Sequence, residues 1–78
     1  MNSNKLKSIM ALHNDTNATL ADYLGITPQT FSAKLNEKKN KKGVPAEFTS
    51  GQIGKIKRKY QLTADEIDSI FFNEKVSF

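Results

Sequence analysis

Gln29, Thr30, Ser32 and Lys34 set an amide, two hydroxyls and an ammonium in one short stretch, with no acidic residue among them. These groups exchange hydrogen bonds with a polar or anionic edge, which is the chemistry of recognition. The common constellations of bond-making chemistry do not appear. Cysteine is absent and His13 is the only histidine, so there is no thiolate metal set, and one imidazole cannot build a zinc site. No histidine–carboxylate pair falls at helical spacing, and no glycine-rich loop of the nucleotide-binding kind occurs. The chain is therefore not expected to be an enzyme. No metal, cofactor or small-molecule ligand is expected either.

Charge points to the kind of partner. The net charge is +4, but nine basic residues lie between Lys34 and Lys59 and only Glu37 and Glu47 oppose them. That segment carries +7 and the remainder −3. A cationic centre suits a polyanion, with nucleic acid the first candidate; a solvated lysine-rich loop is the plainer explanation of the same charge.

The elements that hold these groups read as helices throughout. Seventy-eight residues make one domain, near the lower size for a chain without disulfides or metal. Leu6, Ile9, Met10 and His13 share one helix face, predicting a first helix over about Asn4–Leu12. Leu20, Ala21 and Leu24 form the inward stripe of a second, stopped by Gly25. Thr27 caps a third, with Pro28 at its first position, Ile26 stapled to Phe31, and Phe31 and Leu35 inward, fading at Asn36. Residues 37–48 form a basic loop. Thr49 with Gln52 and Thr63 with Glu66 are capping boxes, with staples from Phe48 to Ile53 and from Leu62 to Ile67. They start helices over about Ser50–Tyr60, with Ile53, Ile56 and Tyr60 inward, and Ala64–Phe72, with Ile67, Ile70 and Phe71 as core candidates. No segment alternates with period two, so no sheet is expected. The fold class is all-α, a compact bundle of about five short helices, with a tail from residue 73.

The stretch Asn17–Asn36 meets the physical requirements of a helix-turn-helix one by one. Ala21 is small where two backbones approach, and Gly25 tolerates the corner. Leu20, Leu24, Ile26, Phe31 and Leu35 lock the pair to the body. The outer face of the second helix presents Pro28, Gln29, Thr30, Ser32, Ala33 and Lys34. The string Leu-Ala-Asp-Tyr-Leu-Gly-Ile-Thr-Pro-Gln-Thr-Phe-Ser-Ala-Lys-Leu-Asn, residues 20–36, resembles the helix-turn-helix of Cro/repressor-type (Xre-like) regulators of phages and mobile elements. The lactose-repressor family carries a similar string, but the helix before the motif and the two after it fit the Cro/repressor plan better. The resemblance implies a lambda repressor-like DNA-binding domain. Lys34 departs from it, because an apolar residue commonly stands one place before Leu35. The inward position is expected to have shifted to Leu35, leaving the rotation of the last helix open.

On that reading the helix Thr27–Asn36 enters the major groove of double-stranded DNA, N-terminal residues foremost. Gln29 is the main base reader, since an amide bonds adenine bidentately. Thr30, Ala33 and Lys34, with Pro28, complete the reading face. Thr16, Asn17, Thr27, Ser32 and Asn36 are assigned to phosphates, and Lys38, Lys39, Lys41 and Lys42 add sequence-independent affinity. Thr27 caps its helix whether or not DNA binds. Lys55, Lys57, Arg58 and Lys59 read as a solvated helix face, His13 as a packing or capping residue, and Tyr23 and Tyr60 as half-buried aromatics.

Phe71, Phe72, Val76 and Phe78 exceed what one helix can turn inward. They suit a homodimer seam on paired half-sites or a fold-back over a monomeric core. The expected function is a sequence-specific transcriptional regulator, repressor or Cro-like. The alternative is a protein-binding helix-turn-helix module, an antirepressor or adaptor. No apolar run approaches the ~20 residues of a membrane span, and the first residues lack a signal peptide's apolar stretch, so a cytoplasmic location is expected.

Overall fold

The computed structural model describes residues 1–72. Its five helices are α1 (Ser3–Leu12), α2 (Asn17–Leu24), α3 (Pro28–Leu35), α4 (Ser50–Tyr60) and α5 (Ala64–Phe71). The expected all-α class holds. Among the described residues the only β-pairing is an isolated antiparallel bridge between Lys39 and Pro45, inside the basic loop. The expected tail from residue 73 lies outside the described residues.

Side-chain caps explain where the helices begin. Thr49 and Gln52 exchange both bonds of a capping box, at 3.2 and 2.9 Å. Thr63 and Glu66 do the same at 3.1 and 2.9 Å. The Thr27 hydroxyl accepts from the Thr30 amide, with Pro28 behind it at the first helical position. A third box, at Thr16, has a threonine where glutamate or glutamine usually stands: Thr19 Oγ1 accepts from the Thr16 amide at 2.8 Å. Asn2 caps α1 through the Lys5 amide, which moves the helix start to Ser3 rather than Asn4. α5 closes at Phe71, with Phe72 as its cap.

Four of the five helices, all but α5, close through a left-handed residue. Gly25 has φ +74°, as its type suggests, but Asn14, Glu37 and Gln61 also have positive φ, between 52° and 58°. Each lets the next amide fold back over the last turn: Asp15 to the Met10 carbonyl, Ile26 to Ala21, Lys38 to Ala33 and Leu62 to Lys57.

One core joins all five helices. Phe31, Leu6, Leu20, Leu35, Ile56 and Ile70 are its largest fully buried side chains. Phe31 stacks tilted on Phe48, and Phe48 meets Phe71 edge-on. Burying one such side chain is worth about 1.5–3 kcal/mol, against roughly 1 kcal/mol for a cap. Packing therefore holds the fold, and the caps set its boundaries. Ala21 is fully buried, and α2 and α3 make the most extensive contact of any helix pair. No described helix is long and apolar enough to cross a membrane.

Candidate nucleic-acid interface

The orientation of α3 follows from what it buries. Phe31 and Leu35 are 0% and 1% exposed, so the helix turns Gln29, Ala33 and Asn36 away from the core, with Thr30 and Ser32 at the flanks. Pro28, Gln29, Thr30 and Asn36 are exposed, whereas Ser32 and Ala33 are half-buried. Local bonds order this face. Thr27 Oγ1 donates to Thr30 Oγ1 at 2.9 Å, and Asn36 Nδ2 donates to Ser32 Oγ at 3.2 Å. Gln29 makes no such local bond, which leaves its amide open to a partner in solution.

Lys34 does not belong to that face. It is half-buried, and its ammonium donates to the Glu47 carbonyl at 2.7 Å. Base reading by Lys34 would require its ammonium to leave that carbonyl. The geometry also fixes the rotation of α3, with Leu35 inward and Lys34 at the margin, its charge spent on the segment leading into α4.

The amino-terminal ends of α2 and α3 differ as anion sites. A helix leaves its first amides without partners. In α3, Pro28 has no N–H and the Thr30 amide is bonded to Thr27, so the Gln29 amide is the one left. In α2, Thr19's amide is bonded to Thr16, leaving those of Asn17 and Ala18. Thr16, Asn17 and Thr27 are all exposed.

Beside the start of α2 lies a cluster that sequence reasoning missed. Asp15 Oδ2 accepts from the Tyr60 hydroxyl at 2.6 Å and lies 3.6 Å from the Lys59 ammonium, while its Oδ1 accepts from Thr19 at 3.1 Å. The Tyr60 hydroxyl, with help from Thr19 and Lys59, holds the Asp15 carboxyl below its ordinary value. Burial, and then the Asp15 charge, push the Tyr60 phenol well above its ordinary value. Lys59 also sits 4.9 Å from the Tyr23 ring centre, and His13 packs 4.8 Å from Tyr60. His13 is thus a helix-end packing residue, and Lys59 is not simply solvated. Tyr23 is half-exposed, while Tyr60 is buried rather than half-buried. The i, i+4 spacing of Asp15 and Thr19 is the one local signal for this cluster.

The basic loop is a small hairpin. Asn40 and Val44 are joined by the Asn40 amide on the Val44 carbonyl, and Ala46 donates to the Lys38 carbonyl, both at 2.9 Å. Lys38, Lys39, Lys41 and Lys42 are all exposed on it.

At the other end, Phe71 is half-buried and packs against Phe48 at the edge of the core. Phe72 is 58% exposed. It borders an open cleft of about 300 Å3 with Met1, Lys34, Glu37, Phe48 and Ile53. Val76 and Phe78 lie outside the described residues. Among the described residues no group of three histidine, cysteine or acidic side chains could hold a metal. No protein-family model, curated protein or solved structure matches the chain.

Proposed function

We propose that the chain is a sequence-specific double-stranded DNA-binding transcriptional regulator, of the repressor or Cro-like kind, in which α2 and α3 act as a helix-turn-helix. The observation that carries this reading is the exposed side of α3. It presents Gln29, Thr30 and Asn36 without an acidic residue, beside a hairpin bearing four exposed lysines.

On this reading α3 enters the major groove and Gln29 bonds an adenine edge. Thr30 adds a hydroxyl, the Ala33 methyl meets a thymine methyl, and Pro28 flanks the face. The amides at the start of α2, with Thr16 and Asn17, receive one phosphate. Thr27, Ser32 and Asn36 flank the groove, and Lys38, Lys39, Lys41 and Lys42 add charge. Such a regulator works on the cytoplasmic genome, and two copies on paired half-sites could meet through Phe72. A second reading, a module that grips another regulator protein, is favoured by the same Phe72 beside its cleft.

Selection of bound sites from a random duplex pool tests the proposal. Enrichment of one sequence is expected, and a palindrome would indicate a symmetric dimer. A pool that stays random through repeated rounds contradicts sequence-specific binding and leaves the protein-binding module as the better account.

A further inference from the structure

The hairpin at residues 38–46 is better ordered than a solubilising lysine run requires. Its three-residue loop Lys41-Lys42-Gly43 closes with the Gly43 amide on the Asn40 carbonyl at 2.9 Å, and Gly43 has φ +77°, a common three-residue hairpin form. The Asn40 side chain fixes the tip from inside: its Oδ1 accepts from the Lys42 amide at 2.8 Å and the Val44 amide at 3.0 Å. A solvated charge needs none of these bonds.

Both strands are also tied to α3. The outgoing strand begins with the Lys38 amide on the Ala33 carbonyl at 2.9 Å. The returning strand leads to Glu47, whose carbonyl receives the Lys34 ammonium. Lys34 thus spends its charge on holding the hairpin at a set angle to α3. The hairpin backbone that carries the lysines cannot shift relative to the helix without breaking these bonds.

We infer that this hairpin is a preorganised finger that grips the sugar-phosphate backbone of duplex DNA at the border of the groove α3 enters, with Asn40, Gly43 and Lys34 as its positioning residues. The inference rests on the DNA-binding reading above and adds that the shape of the hairpin matters, not its charge alone. The scale fits. Lys41 lies three residue steps beyond Lys38, an advance of roughly 10 Å at the usual strand rise. The major groove is about 12 Å wide, so the tip lysines fall near the bordering phosphates rather than on base edges.

The test compares variants that keep the charge with one that removes it. Asn40→Ala and Gly43→Val each loosen the hairpin and leave every lysine in place. An added Cβ at Gly43 meets nothing within 4 Å, so that variant acts through the backbone. The third variant changes Lys38, Lys39, Lys41 and Lys42 to Gln. Affinity for a fixed duplex is measured across a salt series, with thermal unfolding to establish that each variant folds. Loss of one or two phosphate contacts reduces the slope of log K against log salt by about 0.9 each. The finger predicts that reduction in both charge-neutral variants and a larger one in the lysine variant. Charge-neutral variants with the wild-type slope overturn the finger, since the lysines would then act as diffuse charge. A lysine variant with the wild-type slope overturns it too. If wild-type protein itself shows no salt-dependent duplex binding, the DNA reading fails and the finger falls with it.

Discussion

The Tyr60 hydroxyl donates to Asp15 Oδ2 at 2.6 Å across 45 positions of chain. The bond ties the last residue of α4 to the turn that enters α2, and Lys59 reinforces it from 3.6 Å. The start of α2 is therefore held by α4 as well as by its own cap. The bond is part-buried, and a hydrogen bond to a charged partner is worth at most about 1.5–3 kcal/mol. Tyr60→Phe keeps the ring packing and removes the bond, so it should cost an amount of that order in urea unfolding. A double-mutant cycle with Asp15→Asn should show coupling. Additive losses would mean that the two residues act independently.

The same pair sets an acid limit. The Asp15 carboxyl titrates below its ordinary value in the folded state, chiefly because Tyr60 bonds the carboxylate. The unfolded chain then binds more protons than the native one as pH falls below about 4. This contribution to stability is complete above that value and is lost as pH drops through the folded titration. Tyr60→Phe should flatten the acid limb of a stability–pH curve. Parallel acid limbs for the two proteins would contradict this assignment.

At the alkaline end the sign reverses. Burial, and secondarily the Asp15 charge, raise the Tyr60 phenol in the folded state, so the native protein keeps a proton that the unfolded chain releases above about pH 10. Stability from this source is intact below pH 10 and declines as pH rises. Chemical denaturation across that range should show a decline in wild type that is smaller in Tyr60→Phe.

Gln61 offers a stabilising change. Its φ is +54° and its side chain is exposed, a backbone conformation that costs an L-residue roughly 1–2 kcal/mol. Glycine removes that strain but adds unfolded-state entropy worth about 0.4–1 kcal/mol. Gln61→Gly should therefore gain between about 0 and about 1.5 kcal/mol, read as a higher melting temperature. A clear loss would show that the glutamine side chain does something at the α4 end beyond closing the turn.

Gln29→Ala separates reading from gripping. If Gln29 bonds a base, the change should cost about 1–3 kcal/mol on the selected site and much less on random duplex. Equal losses on both would remove Gln29 as a base reader.

What was legible in the sequence was local. Thr49 with Gln52, Thr63 with Glu66, and Thr27 with Pro28 announce helix starts within four residues, because a cap must reach the first turn of its own helix. Phe31 and Leu35 were recognisable as inward by spacing alone, although Lys34 stood where an apolar residue was expected. The missing information was non-local or conformational. Nothing in the chain pairs Asp15 with Tyr60 at a separation of 45. Asn14, Glu37 and Gln61 adopt the left-handed turn without being glycine, so the helix ends they make left little trace. The run Lys41-Lys42-Gly43-Val44-Pro45 reads as charge followed by breakers, while its order depends on one Asn40 oxygen that serves two amides. Phe71 is legible as a core candidate, but its edge-on contact with Phe48 is non-local and leaves no mark in the sequence.

The most direct measurement of the central claim, that the exposed face of α3 and its lysine hairpin bind duplex DNA, is affinity for a labelled random duplex over rising salt. Several phosphate contacts predict a straight fall of log K with log salt, at about −0.9 per contact. No measurable binding at low salt, or a slope near zero, would contradict the claim.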